Sequence, residues 1–102
     1  MRIAAQYFEA AAYGGDGFSA NQLGEMYENA IGLPRAYDKA LAWYGIASGE
    51  GSSDAAMNLG RFYENGIEVD KDLAEAEVWY SIAAEQGNQN AKGKLAHLRP
   101  KQ

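Results

Sequence analysis

Few residues in this chain could do chemistry, and their spacing does not assemble a site. His97 is the only histidine and there is no cysteine. Thiolate zinc sites and disulfide frameworks are therefore ruled out, and a metal would have to rest on carboxylates and one imidazole. Ser-His-Asp catalysis would need His97 as its base, and no Gly-x-Ser-x-Gly turn supplies a nucleophile. Gly14-Gly15-Asp16-Gly17 is glycine-rich. It follows a helical pattern, not a strand, and lacks the Gly-Lys-Ser/Thr of a phosphate loop. Glu25/Glu28 and Glu75/Glu77 read as solvated carboxylates on helix faces. Acid–base work needs a cleft that holds two of them, and the pattern offers none. His97 reads as a solvated side chain on the last helix. The sequence therefore predicts no enzyme, no cofactor and no metal.

The aromatic residues are more informative. A Trp/Tyr cage around a cation is one use for them, but their placement points to packing. Ala40-Leu-Ala-Trp43-Tyr44-Gly-Ile46-Ala47 returns as Ala76-Glu-Val-Trp79-Tyr80-Ser-Ile82-Ala83, and the only two tryptophans lie 36 positions apart. The same offset pairs Leu23/Leu59/Leu95, Gly24/Gly60, Tyr27/Tyr63, Glu28/Glu64, Asn29/Asn65 and Gly15/Gly51/Gly87. A fixed period of this length signals a solenoid of stacked units.

Composition sets outer bounds. The chain has 102 residues, 47% of them hydrophobic, and a formal net charge of -5. That supports a packed core and argues against nucleic acid or an anionic membrane as partner. No apolar run approaches the roughly 18 residues that span a bilayer. Glu9 interrupts any signal-peptide core. The compartment stays open between cytoplasm and, for a processed chain, periplasm.

Helical periodicity predicts six helices. Residues 2–13 carry Ala4, Tyr7, Phe8, Ala11 and Ala12 at helical spacing. They align with a second helix of the unit, so the chain starts in mid-unit. Residues 18–29 are a first helix with Leu23, Met26 and Tyr27 inward. Gly24 in mid-helix would cost about 1 kcal/mol against Ala, and its return at Gly60 argues for close helix contact. Ile31 and Leu33 are expected to tuck into the core from the following loop. Residues 36–48 are a second helix, with Tyr37, Ala40, Leu41, Tyr44 and Ala47 on one face and Trp43 and Ile46 widening it. Residues 53–64 and 73–86 repeat the pair, Asp72 and Glu75 forming a capping-box pattern. Residues 89–98 begin another unit, stopped by Arg99-Pro100-Lys101-Gln102. The expected division is 1–15, 16–51, 52–87 and 88–102, a single repeat domain. Trp43 and Trp79 are both expected to be buried between hairpins.

These positions in combination resemble the Sel-one-like repeat, a helical hairpin related to the tetratricopeptide repeat. Ala55, Leu59, Gly60, Tyr63, Gly66, Val69, Asp72, Ala76, Trp79, Ala83, Ala84 and Gly87 follow its pattern, departing at Glu68. Leu23, Gly24, Tyr27, Gly32, Leu33, Ala40, Trp43, Ala47 and Gly51 follow it again, departing at Ser19, Ala30, Ala36 and Ser48. Ala36 in place of a capping Asp removes a side-chain acceptor worth about 1 kcal/mol. Each unit has lost a different loop glycine, so the two loops are expected to differ in backbone conformation.

The resemblance implies an all-α, right-handed α-α superhelix of about 36-residue hairpins, with first helices lining a concave face and a scaffold role in protein–protein contacts. A branch of the family cross-linked by cysteines and linked to penicillin binding is disfavoured here. By the same register the partner-facing residues are Phe18, Asn21, Glu25, Glu28 and Asn29, then Asp54, Met57, Asn58, Arg61, Glu64 and Asn65, with Asn90 and His97 last. Phe18 aligns with Asp54 and Asn90, so it is either a contact residue or a cover for the N-terminal end of the stack. The expected partner is a protein or peptide, polar or basic. The competing reading is a spacer fragment of a longer array, self-associating through uncapped ends.

Overall fold

The computed structural model describes residues 2–98, and of residues 2–4 the backbone alone. The inward placement of Ala4 and the stop at Arg99–Gln102 lie outside the described residues. Six helices follow in order: α1 (Arg2–Tyr13), α2 (Gly17–Asn29), α3 (Tyr37–Gly49), α4 (Ser53–Asn65), α5 (Leu73–Glu85) and α6 (Gln89–Leu98). No strand occurs among the described residues. Each helix packs most against its sequence neighbours, α2 on α3 and α4 on α5 above all. The body is elongated, 50 × 25 × 16 Å, as a row of hairpins must be.

The closest approach inside each hairpin explains the recurring mid-helix glycine. A Cβ on Gly24 would lie 2.5 Å from Tyr44 Cδ1 and Cε1, and one on Gly60 would lie 2.5 Å from Tyr80 Cε1. The Tyr44 and Tyr80 rings lie flat over helical backbone and are wholly buried. Phe62 joins this layer edge-on to Tyr44, with centroids 5.6 Å apart. One core runs from Ala5 through Leu23, Trp43 and Tyr44 to Leu59 and Phe62. Smaller clusters around Ala56/Ala83/Ala91 and Ala76/Tyr80/Leu95 continue it to α6.

Caps follow the side chains available. Ser52 and Asp72 accept the Ala55 and Glu75 N–H groups. The Asp72 N–H donates to the Tyr63 carbonyl at 2.9 Å, so the loop backbone takes the second half of the expected box. Ala36 caps α3 with no side-chain bond. Asp16 accepts from the Phe18 N–H and from the buried Ser19 hydroxyl at 2.8 Å. That carboxylate satisfies the hydroxyl at the position where the family pattern has Ala.

Four expectations are corrected. The two α-to-α loops do not differ. Ala30 (φ 56) and Gly32 (φ 72) take the left-handed region, as do their equivalents Gly66 (φ 68) and Glu68 (φ 64). The tertiary fold imposes the turn, and Ala30 and Glu68 bear the strain. Ile31 is 52% exposed and only Leu33 of the two reaches the core; Ile67 packs there from a loop of the same backbone, so the neighbours and not the turn decide it. Tyr37 sits in the first turn of α3 and stays exposed, touching Phe62 only by its edge. Trp43 is buried and meets Tyr13 of α1, but Trp79 is half-buried and bridges two clusters.

Candidate functional site

The first helices α2, α4 and α6 lie side by side through polar contacts along one face. Asn58 Nδ2 donates to Asn21 Oδ1 at 3.0 Å. Arg61 grips Glu28 with both terminal nitrogens, at 2.6 and 2.7 Å, and donates to Asn58 Oδ1 at 3.1 Å. Tyr44 reaches from α3 to donate its hydroxyl to Glu28 at 2.6 Å. One unit on, Tyr80 donates to Glu64 at 2.6 Å, and Lys94 stands 3.6 Å from the same carboxylate. Asn88 reaches Asp54 at 3.2 Å.

These bonds sort the expected partner-facing residues. Asn21 is buried and spent on Asn58. Glu28 is no solvated carboxylate. It is mostly buried, and its carboxylate accepts three hydrogen bonds, one from the buried Tyr44 hydroxyl, which must find an acceptor, and two from Arg61. Burial pushes the Glu28 carboxyl up, but the Arg61 and Tyr44 hydrogen bonds outweigh it and hold the pKa below the ordinary value. Burial and then the Glu28 bond raise the Tyr44 phenol, and burial with the Glu64 bond does the same for Tyr80. The Glu28 hydrogen bond likewise raises the Arg61 guanidinium.

Glu25 stands apart. Desolvation first, then the neighbouring Asp54 and Glu28 charges, raise its carboxyl, and the Arg61 charge offsets only part of this. Phe18 is 65% exposed and covers little. It borders a shallow hollow with Glu50, Ser52, Ser53 and Asp54. Asn29, Asn65, Asn90 and His97 are exposed, and Met57 is half-buried. Met57, Asn90, Gly93, Lys94 and His97 border a second open hollow on α4 and α6. The sequence reading missed the tyrosine hydroxyls and Lys94. The signal for the former was present: Tyr44/Tyr80 and Glu28/Glu64 recur together, each pair 16 residues apart.

Among the described residues, no group of three or more His, Cys, Asp or Glu is placed to hold a metal ion. No helix there is long and apolar enough to cross a membrane.

The Sel1 repeat model matches residues 1–16, 17–52 and 53–88. The chain belongs to the Sel1 repeat family. Its members are generally non-catalytic scaffolds that mediate protein interactions. Solved structures agree on the fold. A Sel1 repeat protein from Oxalobacter formigenes is 29% identical, with a TM-score of 0.86 over 91% of this chain and 38% of its own. The protective antigen c5321, present in uropathogenic Escherichia coli strains, is 33% identical, with a TM-score of 0.87 over 94% of this chain and 21% of its own. Helicobacter pylori cysteine rich protein B is 28% identical, with a TM-score of 0.85 over 89% and 68%. This chain has no cysteine, so no disulfide joins its units; packing, hydrogen bonds and the Arg61–Glu28 and Lys94–Glu64 ion pairs do. A search of curated proteins gives no match.

Proposed function

We propose that this Sel1 repeat chain is a non-enzymatic scaffold that holds a protein or peptide segment along the α2–α4–α6 face. One contrast carries the reading. Packing positions stay fixed from unit to unit, as at Leu23/Leu59/Leu95 and Tyr44/Tyr80. Positions on the open side of the first helices change, as at Phe18/Asp54/Asn90 and Glu25/Arg61/His97. A face that reads a sequence needs that variation, and a spacer does not. The second reading, a spacer within a longer array, rests on length, since the chain spans 38% and 21% of two of its structural relatives.

The test uses charge reversals that leave the packing intact. Glu28 and Glu64 are unsuitable because both accept buried tyrosine hydroxyls. Glu25→Lys with Asp54→Lys changes the first-helix face. Asp38→Lys with Glu85→Lys changes the second helices, where both residues are exposed. Partner capture from a source lysate, read by mass spectrometry, should be lost in the first pair and kept in the second. The reverse outcome assigns the partner to the second helices, and the absence of any partner captured by the parent chain favours the spacer.

A further inference from the structure

Charge is not spread evenly over the three first helices. Within α2 the charged residues are Glu25 and Glu28, with no basic side chain. In α4 they are Asp54, Arg61 and Glu64. In α6 they are Lys92 and Lys94, with His97 in the last turn and no acidic side chain. The face thus runs from acidic to basic along the stack.

Internal pairing sharpens the gradient. Arg61 is committed to Glu28 by two short bonds, which removes one charge of each sign from the middle. What is left on the α2–α4 side is Glu25 and Asp54, with Asp54 held only by the Asn88 amide and the exposed Phe18 ring nearby. Desolvation and the Asp54 charge already disfavour the Glu25 carboxylate, so a cation placed there relieves an existing penalty. On the α6 side, Lys94 is 45% exposed and stands 3.6 Å from Glu64, a loose contact that leaves its other donors free to bond a ligand. It borders the hollow with His97 and Asn90, and Met57 forms an apolar wall. A uniformly basic segment would meet Lys94. A uniformly acidic one would meet Glu25 and Asp54.

Building on the scaffold reading above, we propose that this face takes an extended segment carrying one basic and one acidic side chain, the base over Glu25/Asp54 and the acid over Lys94/His97. Two helix-to-helix steps of about 10 Å at about 3.3 Å per extended residue place the two charges about six residues apart.

Four peptides on a Ser/Thr background, each with a central leucine to meet Met57, test it. Two pair Lys and Glu six residues apart, one in each order. The others carry Lys-Lys or Glu-Glu. Titration into the nitrogen-15-labelled chain at low salt, read by amide shifts, should show one or both mixed peptides at least about fivefold tighter than either same-sign peptide, with the advantage falling as salt rises. In Glu25→Lys/Asp54→Lys, shown folded by its melting curve, the preference should move to the Glu-Glu peptide. Equal affinities, or Lys-Lys tightest, would overturn the divided face while leaving a binding face. Absence of shifts with all four peptides would remove the binding face itself, and the inference with it.

Discussion

The two junctions between first helices use the same tyrosine–glutamate bond and differ in everything around it. At the first, Glu28 accepts from Tyr44 and from both arms of Arg61, and the chain of bonds runs on through Asn58 to Asn21. At the second, Glu64 accepts from Tyr80, and the added cation is Lys94 at 3.6 Å. Planar two-point pairing is geometrically specific, whereas an ammonium is a point charge on a flexible stem. The first junction is therefore a clamp and the second a loose contact. The repeat keeps the buried tyrosine and its acceptor because a buried hydroxyl needs a partner. It lets the clamp vary, and the looser end is where the exposed α6 charges lie.

The largest difference should appear at the tryptophans. Trp43→Ala removes a buried ring packed on Tyr13 and should cost about 3–5 kcal/mol. Trp79→Ala should cost less, since Trp79 is half-buried and its Nε1–H is buried without a partner. Urea midpoints of the two variants measure the gap, and equal shifts would dissolve the distinction between the two ends.

Next in size is the clamp. Glu28→Gln should cost about 1–2 kcal/mol, discounted because Arg61 is about one-third exposed. Glu64→Gln should cost less than about 1 kcal/mol. The acid limb supplies the sign. The Glu28 pKa is lowered in the folded chain. Its contribution is thus present above the unfolded-state value and is lost as pH falls through the folded one. Glu25 works in the opposite sense, its pKa being raised, so its contribution fades as pH rises through the folded value. Urea titrations between about pH 3 and 7 should show a shallower acid loss for Glu28→Gln than for the parent chain.

The smallest effects belong to the loops, where the two units match. Ala30→Gly and Glu68→Gly relieve left-handed residues and should each stabilise by about 0.5–1 kcal/mol. A loss of stability in either would mean that the side chain there contributes more than its backbone strain costs.

What was legible in the sequence was whatever the period repeats. The offset of Trp43 from Trp79 and the glycines at 24 and 60 led to six helices and to close contact inside each hairpin, and Tyr44 and Tyr80 lie over those glycines. What was not legible depends on tertiary context. Ala30 and Glu68 read as lost glycines, but backbone conformation there is set by the helices that the loop joins. Glu28 read as a surface carboxylate, because its partners lie 16 and 33 residues away. Ile31 and Leu33 are two residues apart in one loop, and no periodicity distinguishes the exposed one from the packed one.

The first-helix face has one rival. The second helices expose Tyr37, Ile46, Leu73 and Val78, an apolar scatter that a partner could also cover. A photo-reactive phenylalanine analogue placed at Met57 on α4, and separately at Val78 on α5, decides between the faces in a source lysate. Irradiation should give a covalent partner adduct from position 57 and none from position 78. An adduct from position 78 with none from position 57 would contradict the account.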